Sequence, residues 1–366
     1  MRITRRDFLK YCSIAAGALG LSASSLMKLE KAMADIARTG PDVIWIAGQG
    51  CSGCITSLLN TTCFTDIGTL LLGDIDLLFQ ETIQAACGAK VDTGWVTNNA
   101  TQNIVGAAPG YVLLVEGAIP TGPLGSGDYC RVGDLLHDGD DTMQHVVTEL
   151  AKNASVVLSI GTCSSFGGIP AAKPNPTGAS SAATILASTT STYYANNSLD
   201  TLVPVVNVPG CPPHPDWIVG TVLTFINSID PNSAVTTLTN AVANLKLNRD
   251  GCPGDYYGQY QCNAGPCVWR YNNKSGDSRQ AKDADYPVGN SKALGASKWE
   301  VDTALGCLGI LGCKGRKTKA DCSARKWNTE LAWNYGVNWC VGSRGGCHGC
   351  TNKDFPDKVG KFFTFR

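Results

Sequence analysis

The sequence predicts an α/β protein built on a doubly wound parallel sheet and followed by an irregular region rich in cysteine. Between about residues 40 and 230, short apolar runs bounded by glycine or proline alternate with segments of helical character. Buried parallel strands have this composition, and strand–helix alternation is typical of doubly wound folds. Beyond about residue 235 the alternation fades, and glycine, asparagine, aspartate, lysine and cysteine dominate. Such a region cannot easily bury a large apolar core, so we expect bound metal to stabilise it.

Individual elements follow from the apolar pattern. The predicted strands are Val43–Ala47, Tyr111–Val115, Val156–Ile160 and Val203–Val208, and the predicted helices are Thr142–Lys152 and Trp217–Ile229. We expect residues 171–200 to form a surface loop with a weak helix, and residues 271–300 to form an irregular polar insertion. With 43% hydrophobic residues in a chain of 366, there is enough apolar surface for a core and room for two domains.

The first 34 residues have the features of an export signal. Thr4–Lys10 reads TRRDFLK, which matches the twin-arginine pattern; an apolar stretch follows from Ile14 to Leu26, and Ala32–Ala34 is a small-residue cleavage site. The alternative is a basic amphipathic N-terminal helix. Because twin-arginine export moves folded proteins, we expect a periplasmic protein whose metal groups are inserted in the cytoplasm.

Charge and hydropathy limit the range of partners. The formal net charge is zero, so nothing points to nucleic acid or to an anionic membrane surface. Only 16% of the residues are charged, against about 25% in typical soluble domains, which favours a large protein partner. No other segment reaches the roughly 20 apolar residues of a membrane span. We therefore expect no transmembrane anchor in this chain and membrane association only through partners.

Twelve of the seventeen cysteines fall into three groups of four that have the spacing of thiolate cages. The groups are Cys51, Cys54, Cys163 and Cys211; Cys262, Cys267, Cys307 and Cys313; and Cys322, Cys340, Cys347 and Cys350. Cysteine cages of this kind hold iron–sulfur clusters, and three clusters in one chain would carry single electrons over a long distance. A binding module stapled by zinc or disulfides is the rival interpretation. Disulfide bonds remain an alternative above all for Cys63, Cys87, Cys130 and Cys252, because these cysteines belong to none of the three cages.

The first group is also predicted from the strand pattern. Cys51 and Cys54 follow the first predicted strand, Cys163 follows the third and Cys211 the fourth. Because the carboxyl ends of parallel strands share one edge of a sheet, these four thiols should converge there. The adjoining glycines allow close backbone approach, so amide N–H groups can point at the sulfur atoms.

A series of motifs extends from residue 4 to about residue 357. After the leader come WIAGQGCSGCITSLLN, LLVEGAIPTG, SIGTCSSFGGIPAAKPNPTG, VPGCPPHPDWIVGT, LGCKG, ADC, RKWN, GVNWC, and CHGC ahead of DFPD. In this order they resemble the small, electron-transfer subunit of periplasmic nickel–iron hydrogenases, with features like the nickel–iron–selenium type. The resemblance implies a flavodoxin-like domain over 35–235 and an iron–sulfur domain over 236–366, after a signal peptide of 1–34.

The resemblance also implies a function. Together with a large subunit that carries the nickel–iron site, such a protein oxidises dihydrogen reversibly to protons and electrons. The small subunit would relay the electrons to a cytochrome c or another exported carrier. The alternative is an electron carrier subunit of another exported complex, such as the related quinone-reductase subunit, although those relatives lack the long C-terminal cysteine region.

Cluster types follow from the resemblance. Cys51, Cys54, Cys163 and Cys211 would hold a proximal 4Fe-4S cluster that faces the large subunit. Many members have proline at the position of Cys340 and hold a medial 3Fe-4S cluster. Here the fourth thiolate implies a medial 4Fe-4S cluster on Cys322, Cys340, Cys347 and Cys350.

The distal site departs from the family pattern, because the usual histidine is missing. Cys262 takes its place beside Cys267, Cys307 and Cys313, so we expect a distal 4Fe-4S cluster held by cysteine alone; Cys252 is the alternative to Cys262. Three further residues are expected around the clusters. Glu116 lies either beside the proximal site or in a loop as a solvated carboxylate, and His214 orders a loop near the proximal site. His348 lies between two medial ligands, and its side chain either points away from the cluster or tunes electron flow.

Overall fold

A computed structural model describes residues 40–61, 67–83, 107, 109–133, 135–136, 138–196, 201–228, 240–257, 313–315, 317–322, 340 and 345–359. Several predicted features lie outside these residues. They are the export signal of residues 1–34, the polar insertion of 271–300, and the cysteines Cys63, Cys87, Cys262, Cys267 and Cys307.

Strands and helices alternate through residue 226. The strands are β1 (Asp42–Ala47), β2 (Asp76–Gln80), β3 (Val112–Glu116), β4 (Ile119–Pro120), β5 (Val156–Ile160), β6 (Ala179–Ser180) and β7 (Val205–Val208). The helices are α1 (Gly53–Leu58), α2 (Ile67–Thr69), α3 (Met143–Asn153), α4 (Gly161–Phe166), α5 (Ala182–Ile185), α6 (Thr192–Asn196) and α7 (Pro215–Ile226), and a π-helical turn over Leu70–Asp74 follows α2.

Five strands form one parallel sheet in the order β2-β1-β3-β5-β7. Counted along the chain, this is the 2-1-3-4-5 order of flavodoxin-like folds, whose strand order reverses between the first and third strands. The predicted doubly wound sheet is therefore confirmed. Strands β4 and β6 form a separate antiparallel pair.

Both faces of the sheet are covered, because alternate residues of each strand point to opposite sides. Val43 and Trp45 of β1 pack in the apolar cluster that contains Trp217 of α7. Ile44 and Ile46 pack on the other face, in the cluster that contains Val146 of α3. This double burial explains the nearly continuous apolar runs in the sequence.

Side chains at the start of the two long helices satisfy their free amides. The Thr142 hydroxyl accepts a hydrogen bond from the His145 amide at 3.3 Å and caps α3. At the start of α7, Nδ1 of His214 accepts the Asp216 amide at 3.1 Å, and Pro215 occupies the first turn, where its missing N–H has no cost. Helix α7 therefore begins two residues before the predicted Trp217.

Strand β2 was not predicted from the sequence. Its apolar run, Leu77–Phe79, has only three residues and follows the mainly apolar turn Leu70–Asp74, so it does not stand out as a separate strand. Strand β7 begins at Val205 rather than at the predicted Val203, because Pro204 has no amide hydrogen for a sheet ladder.

The described C-terminal residues form turns that pack on the sheet domain. Among the described residues of 313–322 and 345–359, one isolated antiparallel β-bridge to another segment is found, and it pairs Ala320 with Tyr257. The indole of Trp217 donates to Asp321 Oδ1 at 2.8 Å, and the Lys173 amide donates to Asp357 Oδ2 at 2.9 Å. The predicted irregular character is confirmed for this part. None of the described helices is long and apolar enough to cross a bilayer.

Candidate metal centres

The first predicted cage lies at the carboxyl edge of the parallel sheet. Cys51 and Cys54 flank the start of α1, directly after β1. Cys163 lies in α4, which follows β5, and Cys211 follows β7. The four thiols therefore lie where the strand ends predict them, at the edge where ligands bind in open α/β sheets.

The four thiols lie close enough together that every pair interacts electrostatically. Burial raises the pKa of Cys54 well above its usual value, and negative charge on Glu116, Cys163, Cys51 and Cys211 raises it further. Burial also raises the pKa of Cys163 to about 12, with added effects of Cys211 and Cys51, and it raises the pKa of Cys211, with an added effect of Cys51. Four thiolates at this site therefore need a compensating positive charge.

Two glycines make room for these sulfur atoms. Gly161 has φ +84°, and a Cβ atom there would lie 2.5 Å from Sγ of Cys54. Gly168 has φ +53°, and a Cβ there would lie 2.9 Å from the backbone of Cys163. Both conformations are in the region that favours glycine, so the cradle requires glycine for backbone geometry and for space.

Glu116 is buried beside this cage at the end of β3, with 2% of its surface exposed. Its Oε1 accepts the Cys54 amide at 3.0 Å, and its Oε2 accepts the Trp45 indole N–H at 3.1 Å. Burial raises the pKa of the Glu116 carboxyl, and the hydrogen bonds from Cys54 and Trp45 lower it in part. The alternative of a solvated loop carboxylate is wrong, because the strand end carries Glu116 inward.

The third predicted cage gathers Cys322, Cys340, Cys347 and Cys350. A hydrogen bond with the Cys340 thiol, together with burial, raises the pKa of Cys347 well above its usual value. Burial raises the pKa of Cys322 well above its usual value, with added effects of Cys350 and Cys347. Burial raises the pKa of Cys350 to about 12, with a further effect of Cys347. The four side chains are thus linked into one electrostatic group.

Polar donors surround Cys347 in this group. The Gly349 amide donates to its Sγ at 3.3 Å, and the Thr318 hydroxyl lies 3.0 Å from the same atom. Hydrogen bonds to the sulfur favour the thiolate, which is the form that binds iron. Thr318 was not identified from the sequence, since a lone threonine 29 positions before a cysteine carries no spacing signal.

The donor set of both cages fits iron–sulfur clusters. Among the described residues, no three Cys, His, Asp or Glu side chains are arranged to hold a single metal ion. A zinc site needs its ligands about 2.0–2.3 Å from one ion. In a 4Fe-4S cluster each of four cysteines binds a different iron atom, and each cage supplies four cysteines.

Cys313 is the one described member of the predicted distal cage. Its Sγ accepts the backbone N–H of Cys347 at 3.1 Å, so it lies beside the third cage. Its predicted partners Cys262, Cys267 and Cys307 lie outside the described residues. Sequence spacing alone carried no information on this contact between two groups.

The remaining predicted residues have distinct environments. His214 is buried and caps α7, and its ring centroid lies 6.0 Å from that of Trp217. His348 is exposed. Cys130 and Cys252 carry free thiols, and none of the described cysteines is in a disulfide. The Cys252 thiol donates to the Asp250 carbonyl at 3.6 Å and is buried in the core.

Glu81 is a further acidic residue at the carboxyl edge that the sequence analysis missed. Its Oε1 accepts the amide of Ala47, the last residue of β1, at 2.8 Å. Burial raises its pKa to about 7; the amide hydrogen bond lowers it, and the nearby charge of Glu116 raises it slightly. Because Glu81 directly follows β2, its position at the carboxyl edge could not be predicted once that strand had been missed.

Two protein families match different parts of the chain. The family of the NADH ubiquinone oxidoreductase 20 kDa subunit matches residues 51–225, which contain the first cage. The C-terminal family of NiFe/NiFeSe hydrogenase small subunits matches residues 292–363, which contain the third cage. The second match distinguishes the chain from quinone-reductase subunits.

Similar proteins extend over the whole chain. The periplasmic [NiFeSe] hydrogenase small subunit of Desulfomicrobium baculatum is 35% identical over 370 residues, covering 99% of both chains. The chain belongs to the small-subunit family of nickel–iron and nickel–iron–selenium hydrogenases. The quinone-reactive Ni/Fe-hydrogenase small chain of Wolinella succinogenes is 33% identical, covering 98% of this chain and 83% of the relative. The solved structure of recombinant [NiFeSe] hydrogenase from Desulfovibrio vulgaris Hildenborough matches with a TM-score of 0.66 and 32% identity, covering 90% of this chain and 99% of that one.

As a hydrogenase small subunit, the chain is the electron-transfer part of an oxidoreductase that acts on dihydrogen. Small subunits of this family carry iron–sulfur clusters, and the nickel–iron site lies in a separate large subunit. An electron carrier subunit of a different complex is not favoured.

Proposed function

We propose that this chain relays electrons between the nickel–iron site of its large subunit and an external carrier through three 4Fe-4S clusters. Each cluster, when bound, would accept and release one electron. The observation that carries the proposal is the convergence of the four cysteines that follow β1, β5 and β7 at the carboxyl edge of the sheet, where glycines make room for the sulfur atoms. The rest of the chain holds the segments that carry these thiols in place.

Cys51, Cys54, Cys163 and Cys211 are proposed as ligands of the proximal cluster. Burial and mutual repulsion oppose four bare thiolates there, so iron binding would release protons and stabilise the fold. Glu116 holds the amide of Cys54 and thereby orients the turn that carries two of these ligands. This residue positions a ligand rather than transferring electrons itself.

The proximal edge is proposed to be the docking face for the large subunit. Cys51 and Cys211 are exposed in the isolated chain, although cluster ligands in a relay need protection from water. Exposed apolar side chains follow elements that begin near this edge: Leu59 after α1, Leu124 after β4 and Ile169 after α4. Apolar side chains of this kind are typical of the core of a protein interface.

Cys322, Cys340, Cys347 and Cys350 are proposed as ligands of a medial 4Fe-4S cluster. The hydrogen bond between the Cys340 and Cys347 thiols supports a fourth ligand at the position where many relatives have proline. A fourth thiolate adds negative charge, which should lower the reduction potential of the site relative to a three-iron cluster.

Cys262, Cys267, Cys307 and Cys313 are proposed as ligands of a distal 4Fe-4S cluster, with Cys252 as the alternative to Cys262. The contact of Cys313 with the Cys347 amide supports a distal site next to the medial one. The burial of Cys252 in the apolar core and its hydrogen bond to Asp250 favour a packing role for that thiol.

The domain boundaries and the cellular location are also proposals. A signal peptide of residues 1–34, a flavodoxin-like domain of 35–235 and an iron–sulfur domain of 236–366 agree with the separate family matches at 51–225 and 292–363. Export to the periplasm by the twin-arginine route is supported by TRRDFLK and by a relative named periplasmic. The proposed carrier is a cytochrome c or another exported redox protein.

Iron analysis of the heterodimer, purified without air, tests the relay. We expect about twelve small-subunit iron atoms and broad visible absorbance from iron–thiolate charge transfer. Electron paramagnetic resonance during a redox titration should resolve three clusters and no three-iron signal in undegraded protein. A colourless protein that contains zinc, or one with far fewer iron atoms, would contradict the proposal.

A further inference from the structure

The proximal and medial sites meet at one threonine side chain. Thr162 directly precedes the proximal ligand Cys163 and is 1% exposed. Its hydroxyl donates to the backbone carbonyl of the medial ligand Cys350 and accepts the amide of Gly210 at 2.9 Å. Gly210 in turn directly precedes the proximal ligand Cys211. A single hydroxyl therefore links the segment of Cys163, which carries it, to the backbones of two other ligand segments.

Further hydrogen bonds connect the segments that meet at Thr162, Gly210 and Cys350, and this meeting point is here called the joint. The Thr162 amide donates to the Gly210 carbonyl at 2.9 Å, so the two proximal segments are also paired through their backbones. The backbone N–H of Cys211 also hydrogen-bonds to the side chain of Cys350. The amide of a proximal ligand thus points at the sulfur of a medial one.

An aromatic pair lies beside the joint. The Tyr257 hydroxyl donates to the Pro209 carbonyl at 2.8 Å, and its ring centroid lies 5.2 Å from that of Trp217. Tyr257 is buried in the same apolar cluster as Cys322, and its backbone forms a bridge with Ala320, so it lies against the medial site. These bulky side chains exclude water between the two sites, and Thr162 supplies the polar link.

We propose that Thr162 is a positioning residue that sets the separation and relative orientation of the proximal and medial sites. Its hydroxyl is satisfied as donor and acceptor by two segments that are distant in sequence, at Gly210 and Cys350. Removing it would leave a buried carbonyl and a buried amide without their partner, which favours separation of the segments. The inference rests on the proposed assignment of the ligands.

Three variants test the proposal in the heterodimer purified without air. Thr162→Val removes the hydroxyl and keeps the shape, whereas Thr162→Ser keeps the hydroxyl. Thr221→Val is the matched control, because Thr221 is also fully buried and its hydroxyl donates to Trp217 of its own helix at 2.6 Å. Each variant is assayed for iron content, for the magnetic interaction of the reduced clusters, and for amide hydrogen exchange by mass spectrometry.

We expect Thr162→Val alone to show weaker spin–spin splitting in the fully reduced spectrum, or loss of medial iron. It should also show faster exchange in peptides that contain Gly210 and residues 349–351. Thr162→Ser and Thr221→Val should match the wild type. Wild-type splitting and exchange in Thr162→Val, or the same defect in Thr221→Val, would overturn the proposal.

The exchange measurement separates this inference from the ligand assignment. If the wild type lacked one of the two clusters, the proposed relay would fail on its iron content. Faster exchange at Gly210 in Thr162→Val, with normal exchange in Thr162→Ser, would still support the joint in that case. Unchanged exchange would overturn it independently.

Discussion

The carboxylate of Glu116 accepts a hydrogen bond from the amide of Cys54 at 3.0 Å, across 62 positions of sequence. This contact joins the end of β3 to the turn that carries two proposed proximal ligands. Glu116 also holds the indole of Trp45 in the neighbouring strand. One buried carboxylate therefore fixes the ligand turn against two strands of the sheet.

Glu116→Gln should weaken this connection. The amide oxygen can still accept from Cys54, but the amide nitrogen would face the donating indole of Trp45. We expect the unfolding free energy of the heterodimer to fall by about 1–3 kcal/mol, which is the usual cost of an unsatisfied buried polar group. Denaturant titration measures it. Glu149→Gln, at an exposed ion pair with Lys152, is the control and should change stability by less than about 1 kcal/mol.

Gly161→Ala should prevent assembly of the proximal site. A Cβ atom at Gly161 would lie 2.5 Å from Sγ of Cys54, and φ is +84°. We expect loss of proximal iron, measured by iron analysis and by the proximal signal in paramagnetic resonance. Gly125→Ala is a matched control, because Gly125 has φ +89° but a Cβ atom there would have no neighbour within 4 Å. Equal iron loss in both variants would assign the defect to backbone strain alone.

Cys340→Ser should change the type of the medial cluster. Without the fourth thiolate, we expect about one iron atom fewer per heterodimer and a three-iron signal in the oxidised protein. The reduction potential of the medial site should rise, because a negative ligand is lost. Cys130→Ser, at a free thiol outside the three proposed cages, should leave iron content and spectrum unchanged. A medial spectrum that is the same in Cys340→Ser and the wild type would exclude Cys340 as a ligand.

Glu81 should make stability depend on pH. Burial raises its folded-state pKa from 4.5 to about 7, so the folded protein retains a proton that the unfolded chain has released. Stability should therefore decrease as the pH rises from about 4.5 to about 7, and change little from this group above that range. The decrease should be on the order of 1–2 kcal/mol after allowance for partial exposure.

Thermal unfolding of the heterodimer at pH 5 and pH 8 measures this effect. Glu81→Gln should be more stable than the wild type at pH 8 and should show a smaller difference between the two pH values, because the amide oxygen can still accept from Ala47. Glu149→Gln should keep the wild-type difference. An unchanged pH dependence in Glu81→Gln would show that the pKa of Glu81 is not raised in the assembled protein.

Several features could be predicted because they are local in the chain. The strands β1, β3, β5 and β7 are short apolar runs, and the cysteines that follow β1, β5 and β7 had to meet once the sheet was parallel. β2 could not be recognised, because its apolar run has only three residues and follows the apolar turn Leu70–Asp74. Glu81, at the end of that strand, was missed for the same reason.

The amino-acid sequence by itself determined the doubly wound sheet, the grouping of cysteines and the family, because periodicity and spacing are properties of the chain. Only the tertiary structure decided that Glu116 is buried against Cys54, that Cys313 accepts the Cys347 amide, and that Thr162 contacts both Gly210 and Cys350. Hydrogen bonds between segments 34 to 188 positions apart depend on how loops pack in three dimensions, and no local pattern encodes them.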